Sequence, residues 1–417
     1  MPDTHRLDSL QKSSHENYPN LTQLLRCAYR GLGADFEELV AEPEQGSEPQ
    51  GQSSEKPKQA SEKPKKPTHK RTGSYSQTKL LQQLGLDDTY RAVCVVLIDG
   101  MGLEQILACR AHTPFLRKQE TGLIAGHTVL PSTTATALTS FTTGEFPGKT
   151  NMLGWSIYTE DGIGNLINFQ NIRQAPKQWQ PVPPLFAVAK EKFDIDSQVI
   201  SHPRFANSGL TEAAFRGARF VGAETFADRI AAGIAHLQKG RGLAYLYWSE
   251  LDHVGHERGW QSLEWANELE HVDANLRDLA AACPKDAAII LTADHGMIDV
   301  DPSQRIDLAD YPTLSDSVKV IAGEGRCVQL YTQPGQAEKV VQNWKEFFGD
   351  KVLISTDPAT VFRGRPTQRF TADALVFSLD RQVIVDSRIQ PIGQVNLIGV
   401  HGSVTAPEVT IPMWRLA

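Results

Sequence analysis

The stretch Ala92-Val93-Cys94-Val95-Val96-Leu97-Ile98-Asp99-Gly100 decides the fold. An unbroken apolar run rich in valine leaves no polar face, so it reads as a strand buried on both sides. It ends abruptly in an acidic residue and a glycine, residue types that let a chain leave a strand in a turn. Two further runs have the same form, Leu243–Trp248 and Ala287–Ala293. Between them Trp265, Leu269, Val272, Leu276 and Leu279 recur at alternating spacings of four and three, which predicts an amphipathic helix. Phe226, Ile230, Ile234 and Leu237 predict another within Gly222–Gly240. Buried strands alternating with helices predict an α/β fold, with a mainly parallel sheet sandwiched between helices.

Working outward, the segment from Asp299 to Gln390 carries strand and helix signals of its own, including Val340, Val341, Trp344 and Phe347. It is expected to be a small inserted α+β cap at residues 300–390 of a main domain spanning 77–417. Upstream, Glu42–Ser76 consists largely of Glu, Gln, Ser, Pro and Lys. So few large apolar side chains cannot offset the entropy of ordering the chain, and residues 43–76 are expected to be a disordered linker. Ahead of it Leu21, Leu24, Leu25, Ala28 and Leu32 share one helical face, with Asn20 as N-cap. Residues 1–42 are therefore expected to form a helical appendage, docked on the main domain or on a partner.

Composition narrows the class. Of 417 residues, 40% are apolar and 22% charged, as in ordinary soluble globular proteins. A net charge of -7 argues against a nucleic-acid polymer as partner, because no basic excess exists to neutralise phosphates. The five cysteines, Cys27, Cys94, Cys109, Cys283 and Cys327, are scattered and sit mostly in apolar runs. They read as buried thiols in a reducing compartment. With no apolar leader and no stretch approaching a membrane span, the expectation is a cytoplasmic protein without a membrane partner.

The acidic strand ends carry the chemistry. Ala92–Ile98 delivers Asp99, and Leu243–Trp248 leads into Ser249-Glu250-Leu251-Asp252-His253-Val254-Gly255-His256. Ala287–Ala293 delivers Asp294-His295-Gly296, and a fourth strand-like run, Val395–Val400, delivers His401. The carboxyl ends of parallel strands face one crevice, so residues far apart in sequence can converge there. Singly, each Asp could cap a helix or form a turn. Together, three Asp and three His match the oxygen and nitrogen donors of a two-metal site of zinc type. Without cations, that many clustered carboxylates would repel one another. A hydroxyl source lies in Leu130-Pro131-Ser132-Thr133-Thr134-Ala135, ahead of a helix-compatible stretch, Ala135–Phe141. A hydroxyl at that junction would meet a phosphate held by free N–H groups and the helix dipole.

These motifs and their order resemble the type I phosphodiesterase/nucleotide pyrophosphatase family of the alkaline phosphatase superfamily, from about Val93 to Pro412. Counting three residues from Pro131, the resemblance makes Thr134 the nucleophile and matches Thr143-Gly144-Glu145-Phe146-Pro147 to the end of that motif. Asp252, Gly255 and His256 match its Asp-x-x-Gly-His motif; Asp294, His295 and Gly296 match Asp-His-Gly; His401 matches its late metal ligand. The resemblance implies an alkaline phosphatase-like core and two divalent cations, zinc first and manganese as the alternative. It assigns one metal to Asp252, His256 and His401, and the other to Asp99, Asp294 and His295 beside Thr134. It also implies hydrolysis of a small phosphoester, a diester or nucleotide pyrophosphate, through a phospho-threonine intermediate.

Two departures bear on the substrate. Where nucleotide pyrophosphatases carry a phosphate-contacting Asn this chain has Trp155, with Asn151 nearby as a substitute. The final motif, His401-Gly402-Ser403-Val404, lacks the longer aromatic version of the nucleotide enzymes. Asn151, Trp155 and Arg326 are the expected substrate contacts. The alternatives are a phosphomonoesterase or phosphonate hydrolase using the same site, or an inactive metal-stabilised binding protein.

Overall fold

The protein is described by a computed structural model covering residues 16–37, 75–87, 89–366 and 371–417. The expected linker lies outside the described residues except for Tyr75 and Ser76. Helix α1, Leu21–Arg30, is followed by strand β1, Ala92–Ile98, then β2, Leu123–His127, and helix α2, Thr134–Thr143. Next come β3, Ser197–Ser201, β4, Arg219–Gly222, α3, Phe226–Lys239, and β5, Gly242–Trp248. Helices α4, Glu250–Arg258, and α5, Leu263–Ala281, precede β6, Ala287–Thr292. After the cap the chain returns through β11, Gly399–Val400, and β12, Thr410–Arg415.

Seven strands form one sheet in the order β2-β12-β6-β1-β5-β3-β4. Only β12 runs against the others. The three runs read as doubly buried strands are β1, β5 and β6, and every residue of each is buried. Their side chains alternate between two helical layers. On one face Gly233 of α3 lies against Cys94 and Leu246. On the other, Phe141 of α2 packs against Tyr245 with ring centroids 5.5 Å apart. The periodic helices form as the spacing predicts, with Trp265, Leu269, Val272, Leu276 and Leu279 buried along α5.

Helix α1 begins with a capping box: the Asn20 side chain accepts from Thr22 N at 3.0 Å, and the Gln23 side chain accepts from Asn20 N at 2.8 Å. Leu21, Leu24, Leu25, Cys27 and Ala28 are fully buried in the same core as the sheet. Burial of each leucine contributes about 1.5–3 kcal/mol, enough to make α1 part of that core.

Between β6 and β11 lies the cap. Strands β7, Val318–Glu324, β8, Cys327–Thr332, β9, Val352–Ser355, and β10, Ala374–Ser378, form an antiparallel sheet in the order β7-β8-β10-β9. Helix α6, Ala337–Phe348, covers it. A second core that includes Leu314, Leu330, Val340, Trp344 and Val376 holds these elements together. The run Val395–Val400 behaves differently from its sequence reading. Only Gly399–Val400 is extended, pairing with Ile298–Asp299 outside the main sheet, while Ile392–Val395 is a helical turn. Ile398 is exposed, so this apolar run lacks the two buried faces that hold β1, β5 and β6 in place. Among the described residues no helix is long and apolar enough to cross a membrane.

Candidate active site

Strands β1, β5 and β6 end side by side: Ile98 pairs with Trp248, and Leu97 with both Tyr247 and Thr292. Asp99 follows directly on β1, its N–H bonded to Trp248 O at 2.9 Å. Two residues past β6 stands Asp294, whose Oδ1 accepts the N–H groups of Gly100 at 3.2 Å and His295 at 3.0 Å. Helix α4 presents Asp252 and His256 one turn apart, Oδ2 to Nε2 3.2 Å. Gly100, at φ +70°, leaves no room for a side chain, since a Cβ there would stand 2.9 Å from Asp252 Oδ1.

Three histidines complete the cluster in one manner. The Nδ1 atoms of His256, His295 and His401 lie 2.7, 3.0 and 2.8 Å from the carbonyls of Gly399, Gly296 and Ser132. A carbonyl can only accept, so each Nδ1 carries a proton and each Nε2 is left to face the carboxylates, where it can bind a cation once unprotonated. His295 Nε2 lies 3.4 Å from Asp99 Oδ1 and 3.5 Å from Asp294 Oδ2, and the His295 and His401 rings stack at 3.6 Å. His401 Nε2 stands 3.9 Å from Asp252 Oδ1.

The donor set fits divalent cations. Asp99 Oδ1, Asp252 Oδ1 and Asp294 Oδ2 are buried with no hydrogen-bond partner, a costly arrangement for carboxylates unless cations complete it. Donor atoms of Asp99, Asp294 and His295 lie within 4.8 Å of one another, as do those of Asp252, His295 and His401. The first group is the one inferred from the sequence. In the second, His295 stands where His256 was expected, and His256 approaches Asp252 through its other oxygen.

Electrostatics follow the crowding. Burial, reinforced by the charges of Asp294 and Asp252, pushes the Asp99 carboxyl well above the usual range. Burial also raises Asp294, with His295 opposing. Burial would raise Asp252 too, but the neighbouring histidines, His256 foremost, hold it below the ordinary carboxylate range. Burial alone would depress His256, yet Asp252 lifts it to about 9. His401, buried beside His295, is held well below its ordinary value.

Thr134 is the first residue of α2, and its Oγ1 lies 3.2 Å from His295 Nε2. A cavity of about 270 Å³ opens on it, with Leu138, Phe205, Phe215, Phe220 and Tyr247 among its walls and Arg204 its one lysine or arginine among the described residues. The Tyr247 hydroxyl donates to Asp99 Oδ2. Sequence reasoning missed Tyr247, Phe205 and Arg204. The place of Tyr247 near a strand end was legible, but its direction depends on the register of β1 with β5.

The expected substrate contacts separate. Trp155 lines this cavity and the neighbouring ones. Asn151 does not line it: it is buried at φ +60° as the C-cap of a short helix, its Nδ2 bonded to Trp179 O at 2.8 Å. Arg326 has no exposed surface. Its Nη2 and Nε reach Glu408 at 2.7 and 3.2 Å, and its Nη1 reaches the carbonyls of Leu379, Asp380 and Gln382. A guanidinium sealed from solvent on those partners lines none of the cavities around Thr134 and is not available to a substrate, which corrects its assignment.

The sequence model of the type I phosphodiesterase/nucleotide pyrophosphatase family matches residues 93–403. No curated protein matches the chain. Among solved structures, murine ectonucleotide pyrophosphatase/phosphodiesterase 5 superposes with a TM-score of 0.61 at 16% identity, over 77% of this chain and 87% of that one. An inactive threonine-to-alanine form of that protein in complex with AMP gives 0.60 at 16% identity, over 77% and 87%. Phosphonoacetate hydrolase from Sinorhizobium meliloti, in complex with phosphonoformate, gives 0.62 at 19% identity, over 78% and 90%. At these identities the likeness is one of fold.

Proposed function

The chain belongs to the type I phosphodiesterase/nucleotide pyrophosphatase family, and from that premise we propose that it cleaves a phosphodiester or nucleotide pyrophosphate bond with Thr134 as nucleophile beside two divalent cations. The observation that carries this reading is the set of orphaned carboxylate oxygens, facing three histidine Nε2 atoms next to the Thr134 hydroxyl. Divalent cations, zinc first by donor type, would supply positive charge that attracts phosphate and lowers the proton affinity of the Thr134 hydroxyl.

The residues of the chain do the rest. Asp99, Asp252 and Asp294 carry three negative charges against four from two such cations, leaving the centre about +1 and attractive to an anionic diester. The backbone carbonyls of Gly399, Gly296 and Ser132 fix the ring orientation of the histidines, so no reorganisation is needed as charge develops. Thr134, at the start of α2, directs its Oγ at phosphorus with the free N–H groups of that turn nearby. Oγ bonds to phosphorus as the bond to the leaving oxygen breaks, and the departing alkoxide takes up a proton. Water then attacks the phospho-threonine, restoring the hydroxyl. Two in-line displacements predict retention at phosphorus. The aromatic wall of the cavity receives the more apolar arm of the ester.

Hydrolysis of bis-p-nitrophenyl phosphate and p-nitrophenyl phosphate by metal-loaded protein, with Thr134→Ala in parallel, tests the reading. Diester preference lost in the variant is the expected result. Monoester preference would move the protein to a phosphatase, and an active variant would place the nucleophile elsewhere.

A further inference from the structure

The space beside Thr134 does not end at the aromatic cavity. A second cavity of about 240 Å³ shares Thr133, Trp155, His256 and His401 with it and continues to Glu324, Gln390 and Gln394. A third, of about 500 Å³, shares Trp155, Gly323, Glu324, Gln390 and Gln394 with the second and opens between the cap and the hairpin of Ser156–Thr159 and Gly162–Asn165. Trp155 stands at the junction of all three. A path therefore leads from the nucleophile, past Trp155 and Glu324, into a cleft on the far side from the aromatic wall.

The chemistry changes along that path. Six amide side chains, Asn165, Asn168, Gln170, Asn171, Gln390 and Gln394, line the outer cleft, and no lysine or arginine does so among the described residues. Glu324, at the end of β7, is the one ionisable group on its wall. Its Oε2 accepts the Trp155 N–H at 2.8 Å, while its Oε1 is shielded from solvent and has no hydrogen-bond partner. A carboxyl group with one oxygen bonded and the other unpartnered, beside a cluster of amides, is arranged to receive a polar ligand.

We propose that this amide-lined cleft, with Glu324 at its inner end, is a subsite for an uncharged, hydroxyl-bearing arm of the substrate, a polyol or sugar esterified to the phosphate. The inference rests on the phosphodiesterase reading and narrows it. An anionic arm would meet no cation and one carboxyl group. A quaternary ammonium needs several aromatic faces, and the cleft offers only Trp155. Hydroxyl groups both donate and accept, as amides do, and each could bond two of the side chains present. Burial, opposed by the Trp155 N–H and the Thr133 hydroxyl and reinforced by Glu408, pushes the Glu324 carboxyl up to about 8, so near neutral pH it can donate as well as accept.

The test uses two p-nitrophenyl phosphodiesters whose second alcohol is glycerol or 1-propanol, equal in carbon count and different in hydroxyls. Release of p-nitrophenol by the metal-loaded full chain gives kcat/KM for each. The glyceryl ester should be favoured by about tenfold, equivalent to about 1.4 kcal/mol, and that ratio should fall below about threefold in Glu324→Ala and in Gln394→Ala. Should loss of the Trp155 N–H acceptor unfold the first variant, the half-buried Gln394 on the cleft rim decides the matter. A wild-type ratio near one, or a ratio unchanged in both variants, overturns the subsite while leaving the phosphodiesterase intact. Failure to cleave either ester removes the phosphodiesterase reading and this inference with it.

Discussion

Two buried ionic clusters in this molecule have opposite designs. Arg326 and Glu408 form a pair without exposed surface, in which Glu408 also accepts the Ser403 N–H and the Thr405 hydroxyl while Arg326 spends its remaining donors on carbonyls. The cluster of Asp99, Asp252, Asp294, His256, His295 and His401 is buried at Asp99, Asp294 and His295 and partly open at Asp252, His256 and His401, and three of its oxygens have no partner. The first is closed on itself and joins the cap to the loop after His401. The second is closed only by something added. Satisfaction of hydrogen bonds and balance of charge together separate a structural ion pair from a reactive centre here.

That contrast can be broken in order of expected size. Thr134→Ala should lower kcat/KM for bis-p-nitrophenyl phosphate by at least about a thousandfold, with circular dichroism unchanged; a variant keeping a tenth of the rate would refute the assignment. Arg326→Ala should cost about 3–5 kcal/mol in urea unfolding, because Glu408 is left buried and charged without its counter-ion. Arg326→Met combined with Glu408→Leu should recover most of that loss, and a single-variant cost below about 1 kcal/mol would show the pair is not holding the cap. The open cluster should respond to metal instead. Zinc or manganese at a hundred times its Kd should add about 2.7 kcal/mol to metal-free protein. Asp99→Asn should behave inversely, melting higher than wild type under chelation and gaining less from metal, since it removes a repelled carboxylate. Equal responses would mean Asp99 is not a ligand.

A further effect concerns pH. Glu324 titrates near 8 when folded, against about 4.3 in an unfolded chain. Between those values the folded state holds the extra proton, so this contribution is fully present below about 4.3 and is lost as pH rises through about 8. Glu324→Gln should therefore flatten the fall in melting temperature of metal-free protein between pH 5 and 8; parallel profiles would place the ordinary carboxylate value on Glu324.

Much of this was legible before any coordinates. Strands β1, β5 and β6 carry their burial in composition, and α3 and α5 carry it in period, because local pattern and packing agree there. Asp99, Asp252, His256, Asp294 and His295 were legible because each closely follows such a strand or sits in the helix after it, whereas His401 follows only the two-residue β11. Asn151, Arg326 and Glu324 were not, for each is settled by a partner distant in sequence, Trp179, Glu408 and Trp155 respectively. Arg326 read as a substrate contact since nothing near it in sequence announces Glu408. Glu324 passed unnoticed for the same reason. The His401 loop is held by Ser132 O and by the closed ion pair's neighbour Ser403 rather than by sheet pairing, so its strand-like composition misled.

The Arg326–Glu408 pair has a consequence for descent. It couples a residue in the middle of the cap to one beyond it, 82 residues further along the chain. A recombination that imported a foreign cap while keeping the native segment around residue 408 would strand one charge of the pair. Specificity in this lineage is thus expected to diverge by point changes along the cleft, with the two positions inherited as one unit.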